Sequence, residues 1–181
     1  LLGLRMVKKT VNFDDPGSYH LYYGDELGRP GTIMTFFAWP GAPRGKIGPP
    51  QVTVTAFAVP FSAIEYWIKR LKAHGVEYQA PTDRFGESVI GFADSDGLKL
   101  EIVGVAESKG NLWAAGPIPA EHAIRGFHSV TISEEGYENT ANLLTDVMAF
   151  KPAGSEQNRF RYRAATTDGL AAIVDLLCVP D

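Results

Sequence analysis

QVTVTAFAVPFSAIEYWIKRLKAHGVEYQAPTDRFGESVIGFADSDGLKLEIVG, residues 51–104, decides the fold. Its first nine residues alternate with a period of two and are rich in β-branched types, the pattern of a strand with one buried face. FSAIEYWIKRLKAHG follows, with Ile64, Trp67, Ile68 and Leu71 at helical spacing and Gly75 placed to end the helix. Three short strands are predicted next, in VEYQAP, ESVIGFAD and LKLEIVG, the last two joined by the turn signal Ser95-Asp96-Gly97. The order is β-α-β-β-β.

The same order recurs on both sides. From residue 126, GFHSVTI reads as a strand, and EEGYENTANLLTDVMAF as a helix with Tyr137, Ala141, Leu144 and Met148 on one face. Strands are predicted near Lys151 to Ala153, Phe160 to Ala164 and Ala171 to Val179. Before residue 51, only three strands are visible, near Met6 to Phe13, Ser18 to Asp25 and Thr32 to Trp39. LLGLRMVKK at the start matches LLTDVMAFK at 143–151, so it reads as a helix end running into a strand. The expected organisation is a partial unit at 1–39, a linker at 40–50, complete units at 51–104 and 126–181, and a linker at 105–125. Trp113 in that second linker is expected to latch units together. The fold class is α+β, with repeated β-α-β-β-β units and mixed curved sheets. Each unit covers one sheet face with its own helix, so pairs of units are expected to enclose a cavity between their bare faces. An unpaired sheet in the first unit is expected to be adhesive.

Composition narrows the function. With 181 residues, 45% hydrophobic and 21% charged, the chain can bury a core. The formal charge of −4 with interspersed signs gives no basic face for nucleic acid. No apolar run approaches the roughly 18 residues that cross a bilayer, and no signal peptide is visible, so no membrane partner is expected. Cys178 is the single cysteine, which excludes an internal disulfide framework and agrees with a cytoplasmic location. No G-x-S-x-G elbow, phosphate-binding loop or G-x-G-x-x-G occurs. Cys178 has no basic neighbour to make it a nucleophile.

The repeat ending in Asp94, Asp96, Gly97, Leu98, Leu100 and Glu101 resembles the vicinal oxygen chelate superfamily of glyoxalase I, bleomycin-resistance proteins and extradiol dioxygenases. VKKTVNFDDPGSYHLYYGDELGRPGT, TFFAWPGAPRG, DRFGE and PAEHAIRGFH look like its hydroquinone-type ring-cleaving dioxygenases, along essentially the whole chain. The resemblance implies four units and one Fe(II), or Mn(II), held by two histidines and a glutamate, with open positions for substrate and O₂. It implies that those ligands lie on the first strand of unit one and on unit four. The chain therefore reads as a fragment lacking the first strand and helix of unit one and all of unit four, expected to hold no tight iron and to cleave no ring by itself. The implied partners are a small aromatic substrate and O₂, and homo-oligomerisation is left open. The alternatives are a metal-free aromatic-ligand binding or resistance module, and a glyoxalase-like lyase.

Ligand positions in this superfamily fall on the first and last strands of a unit. Aligned on the hydrophobic frame, the last-strand position is Thr35, Glu101 and Asp175 in successive units, and the first-strand position is Val54 and Ser129. Valine cannot ligate a metal and serine is a poor ligand, so Val54, Glu101, Ser129 and Asp175 read as vestiges of a site that has lost its metal. Thr35, neutral, would leave a coordination position open opposite the iron. Glu101 is costly to bury unpaired, and Arg84 or Arg125 is expected to neutralise it.

The candidate substrate-lining residues are His20, Tyr22, Thr35 and Phe37, with His20 and Tyr22 alternating on one strand. Against this, the stripe Phe36, Phe37 and Trp39 reads first as core. His128 adjoins a ligand position but should point to the opposite face, as a packing or hydrogen-bonded residue. His74 reads as a helix cap and His122 as a surface or hinge residue.

Overall fold

The computed structural model describes residues 1–43, 45–106, 110, 112–165 and 172–179. It forms two sheets. Strands β1 (Arg5–Val11), β2 (Tyr19–Gly24) and β3 (Met34–Phe37) make an antiparallel sheet of three. The other eight are β4 (Gln51–Pro60), β5 (Thr82–Arg84), β6 (Glu87–Ala93), β7 (Lys99–Val105), β8 (Gly126–Glu134), β9 (Phe150–Glu156), β10 (Arg159–Ala164) and β11 (Ile173–Cys178). They run in the order β5-β6-β7-β4-β8-β11-β10-β9. Each half repeats one β-α-β-β-β arrangement, its first strand parallel to its last. The halves join edge to edge where β4 runs antiparallel to β8, so one continuous sheet results.

Helix α1 (Ile64–Ala73) forms because Trp67 and Leu71 fall on one stripe; both are fully buried. They pack on Phe57, Val59, Ile90 and Ile102, with Ile64 and Ile68 flanking. Phe57 stacks on Phe127 across the join at 5.3 Å, and the Trp67 indole donates to the His122 carbonyl at 2.9 Å. Gly75, at φ 66°, ends the helix: its N–H bonds the Lys72 carbonyl, and that of Val76 bonds Leu71. His74 takes the C-cap position as expected, capping through its backbone N–H, which bonds the Arg70 and Leu71 carbonyls at 3.1 and 3.2 Å, rather than through its exposed imidazole. Leu2, Leu4 and Met34 dock the small sheet onto the same cluster.

Several expectations are corrected. Residues 1–4 contain no helical turn, and Gly3 turns at φ 69° against Ile118. VEYQAP is not a strand: it makes one bridge, Tyr78 to Phe92, before Pro81 removes a donor, and the paired strand comes later as β5. The second helix, α2 (Glu138–Asn142), passes into a π-helical turn at Leu143–Val147. That widening breaks the 3.6-residue phase, so Ala141 and Leu144 are buried but Met148 is 54% exposed. Phe36, Phe37 and Trp39 are exposed, not core. His122 does not lie free on the surface: it is half-buried and stacks on Tyr66 at 4.3 Å. Trp113 lines a small void with Leu2, Leu4 and Ile118. Ala171, the expected start of the last strand, lies outside the described residues.

Candidate functional site

The three-stranded sheet gathers one set of candidates. In the β2–β3 register His20 faces Phe37 and Tyr22 faces Thr35, so all four share one face. His20 stacks on Tyr22 at 4.0 Å and against Phe37 at 4.2 Å, and Phe37 stacks on Trp39 at 5.3 Å. On β1, Lys8 pairs with Tyr22 and holds its Nζ 5.5 Å from that ring's centroid. The Tyr22 hydroxyl and His20 Nδ1 lie 2.9 Å apart in a hydrogen bond. The other ring nitrogen, Nε2, is buried and has no protein partner among the described residues. A buried polar atom left without a partner is costly, and a ligand hydroxyl reaching it would relieve that cost.

The eight-stranded sheet treats its candidates differently. Val54 and Glu101 line one cleft of about 530 Å³ together with Arg84 and Arg159. Arg84 grips Glu101 with two bonds, of 2.8 and 3.0 Å. Asp175, fully buried, accepts from Arg161 Nε at 2.8 Å, from Arg161 Nη2 at 3.0 Å and from Arg159 Nη1 at 3.2 Å. Arg161 also donates to Glu87 at 2.6 Å, and Glu87 bonds His128 Nε2 at 3.0 Å. His128 Nδ1 in turn lies 3.0 Å from the Ser129 hydroxyl. Ser129 thus meets the acids only through His128 and Glu87.

Local backbone explains this convergence. The β4–β8 register slips between Ala56 and Phe57, leaving His128 as a bulge residue. Strict alternation fails there, so His128 and Ser129 contact each other inside the network rather than facing opposite ways. The β5–β6 hairpin turns through Phe85 and Gly86, at φ 53° and 74°, as a two-residue connection needs. Phe85 carries a conformation unusual for a bulky residue and is held on three sides. Its N–H donates to Glu156 at 2.7 Å, the Arg161 guanidinium lies 4.1 Å over its ring, and Gly154 passes beneath. This is how DRFGE, from one half, closes over β9 and β10 of the other.

Burial would raise the Glu87 carboxyl, but hydrogen bonds and charge from His128 and Arg161 outweigh it and hold the group at about 2. Burial would likewise lower Arg161, and Asp175 and Glu87 reverse that. Sequence reading missed Glu87, Arg159 and Arg161. Their signal was present: NRFRYR alternates arginines with aromatics on a strand, and Arg161 is in register with Asp175. Of the two cations expected to serve Glu101, Arg84 does so; Arg125 Nη2 donates to the Ala120 carbonyl at 2.9 Å.

The chain as a whole is similar to known proteins. A family profile described as the Glyoxalase/Bleomycin resistance protein/Dioxygenase superfamily matches residues 1–102. The chain is 47% identical over 180 residues to "Putative ring-cleaving dioxygenase MhqO" of Bacillus subtilis (strain 168), covering 99% of this chain and 57% of that relative. It is 33% identical over 180 residues to the "Chlorohydroquinone/hydroquinone 1,2-dioxygenase" of Sphingobium indicum, covering 97% and 56%. The chain therefore spans a little over half the length of these relatives. A crystal structure of a "putative dioxygenase" from Bacillus subtilis superposes with a TM-score of 0.91 at 46% identity, covering 99% of this chain and 57% of that one. A glyoxalase I variant from Zea mays shares the fold, with a TM-score of 0.70 at 14% identity over 99% of this chain and 62% of that one. On the repeated β-α-β-β-β architecture and the profile match over more than half its length, the chain belongs to the Glyoxalase/Bleomycin resistance protein/Dioxygenase superfamily.

Proposed function

We propose that this chain supplies the substrate-facing wall of a non-haem, Fe(II)-dependent extradiol-type dioxygenase that opens hydroquinone or catechol-like rings with O₂. The observation that carries the reading is the aromatic face of the small sheet, where His20 is stacked between Tyr22 and Phe37 with an unpartnered Nε2. A flat phenolic ring can stack on Phe37 and Trp39 while one hydroxyl meets His20. Tyr22, bonded to Nδ1, fixes the imidazole's orientation, so Nε2, covered in this arrangement, accepts or returns a phenolic proton once the neighbouring side chains part to admit the ring. Thr35 presents a small neutral side chain beside this pair. The names of the relatives support the choice of ring substrate.

Iron does not fit the described residues taken alone. Among them no three histidine, cysteine, aspartate or glutamate side chains gather to hold a metal. Glu101, Asp175 and Glu87 of the second sheet are each engaged by guanidinium groups. Fe(II), or Mn(II), would take its ligands from parts of a longer polypeptide such as the relatives have. That arginine-filled network favours one second reading, a metal-free module that holds an aromatic ligand.

Oxygen uptake by the protein at its natural length, supplied with Fe(II) and chlorohydroquinone, separates the two. The dioxygenase reading expects one O₂ consumed per ring opened, and a loss of about 100-fold in kcat/KM in His20→Ala. Ring binding without O₂ consumption would sink it in favour of the binding module.

A further inference from the structure

We infer that the cleft over the eight-stranded sheet is a binding site for a small monocarboxylate with an apolar or aromatic body, received by Arg159. It lies on the other sheet from the aromatic face and does not depend on ring cleavage.

The argument starts from the donors. Arg159 uses Nη1 twice, toward Thr131 Oγ1 at 2.9 Å and Asp175 Oδ2 at 3.2 Å. Nε and Nη2 have no partner among the described residues, although the side chain is only 11% exposed. Those two N–H groups form the outer edge of the guanidinium, the side-on fork that matches the two oxygens of a carboxylate. Arg84 cannot serve as their counter-charge, being a cation itself, and its acid is already held in two bonds. Burial, and then the charge of Arg84, push Arg159 below its ordinary value, a strain that a bound anion would relieve.

The walls set the ligand's class. Among the residues lining the cleft, Lys99, Arg84 and Arg159 outnumber Glu77 and Glu101 by one charge, and Asp175, behind Arg159, is shared with Arg161. A single negative charge balances this, whereas a dianion would meet the two acids with charge left over. Val54, Phe92 and Leu100 give an apolar floor. A volume of about 530 Å³ lies in the range of small-molecule sites and has ample room for a ring.

Calorimetric titration of the natural protein with benzoate, benzamide and inorganic phosphate tests the site. Benzoate should bind in the millimolar range or tighter, and benzamide and phosphate at least about tenfold more weakly. Arg159→Gln should weaken benzoate about tenfold or more, and His20→Ala should leave it unchanged. Because Arg159 borders buried Asp175, Val54→Trp gives a second route: it fills the cleft without removing a member of any ion pair and should abolish binding. Unchanged benzoate affinity in Val54→Trp, equal affinity for benzamide, tighter binding of phosphate, or no binding up to millimolar concentration would each overturn the proposal.

Discussion

The small sheet and the large one use the same kind of surface in opposite ways. On β2 and β3 the inward-type positions carry His20, Tyr22, Thr35 and Phe37, with a ring nitrogen unsatisfied and aromatic faces exposed. At the comparable last-strand positions of the large sheet, Glu101 and Asp175 are tied by five guanidinium bonds. One surface keeps an unsatisfied ring nitrogen and open aromatic faces; on the other the acids are satisfied, while the guanidinium of Arg159 still opens on a cleft. The difference teaches that a buried acid on a last strand does not by itself mark a metal site: here arginines take up the oxygens a cation would need.

The comparison can be broken most sharply at Arg161. Arg161→Ala leaves Asp175, fully buried, and Glu87 short of their main counter-charge, and should cost about 3–5 kcal/mol in urea denaturation. A cost below 1 kcal/mol, on the order expected of a surface pair, would show the network to be ornamental. Acid comes next. The Glu87 carboxyl is lowered from 4.5 to about 2, so its stabilisation is complete above 4.5 and disappears as pH falls through 2. Allowing for solvent screening, roughly 2 kcal/mol should be lost across that window, and Glu87→Gln should flatten the profile. On the small sheet, Asp25 accepts from the Leu27 and Arg29 amides and from the Arg29 guanidinium, at 3.0, 3.0 and 2.9 Å. Asp25→Ala should cost about 1–2 kcal/mol and raise amide exchange there while β8 and β11 stay protected. Smallest of all, Trp39→Ser should move stability by less than about 0.5 kcal/mol yet weaken phenol binding, since Trp39 is 55% exposed.

Much of the architecture was legible because local pattern and burial agree. Ile64, Trp67, Ile68 and Leu71 foretold the packed stripe of α1, and the alternation of 51–59 foretold β4. What misled was structure that the chain acquires only in three dimensions. The bulge at His128 is set by pairing with β4, which no local pattern announces. The π-helical turn changes phase within a run that reads as ordinary helix. Phe36, Phe37 and Trp39 read as core because aromatic residues usually find cover, and within this chain they do not. His20, Tyr22, Thr35 and Phe37 could be placed together because the period of two fixes a strand's faces once register is known. The arginines were overlooked because a cation in a strand suggests solvent until its acidic neighbour is paired with it.

The ladder between β4 and β8 also governs how the chain must fold. It joins residues some 80 positions apart, as Thr53 and Ser133 are, whose hydroxyls lie 2.8 Å from each other. Each half holds its first strand at the centre of the finished sheet, so neither can complete its hydrogen bonding until the other has arrived. A nucleus built across so long a loop forms slowly, which places refolding in the millisecond-to-second range and makes assembly of the two halves one kinetic event.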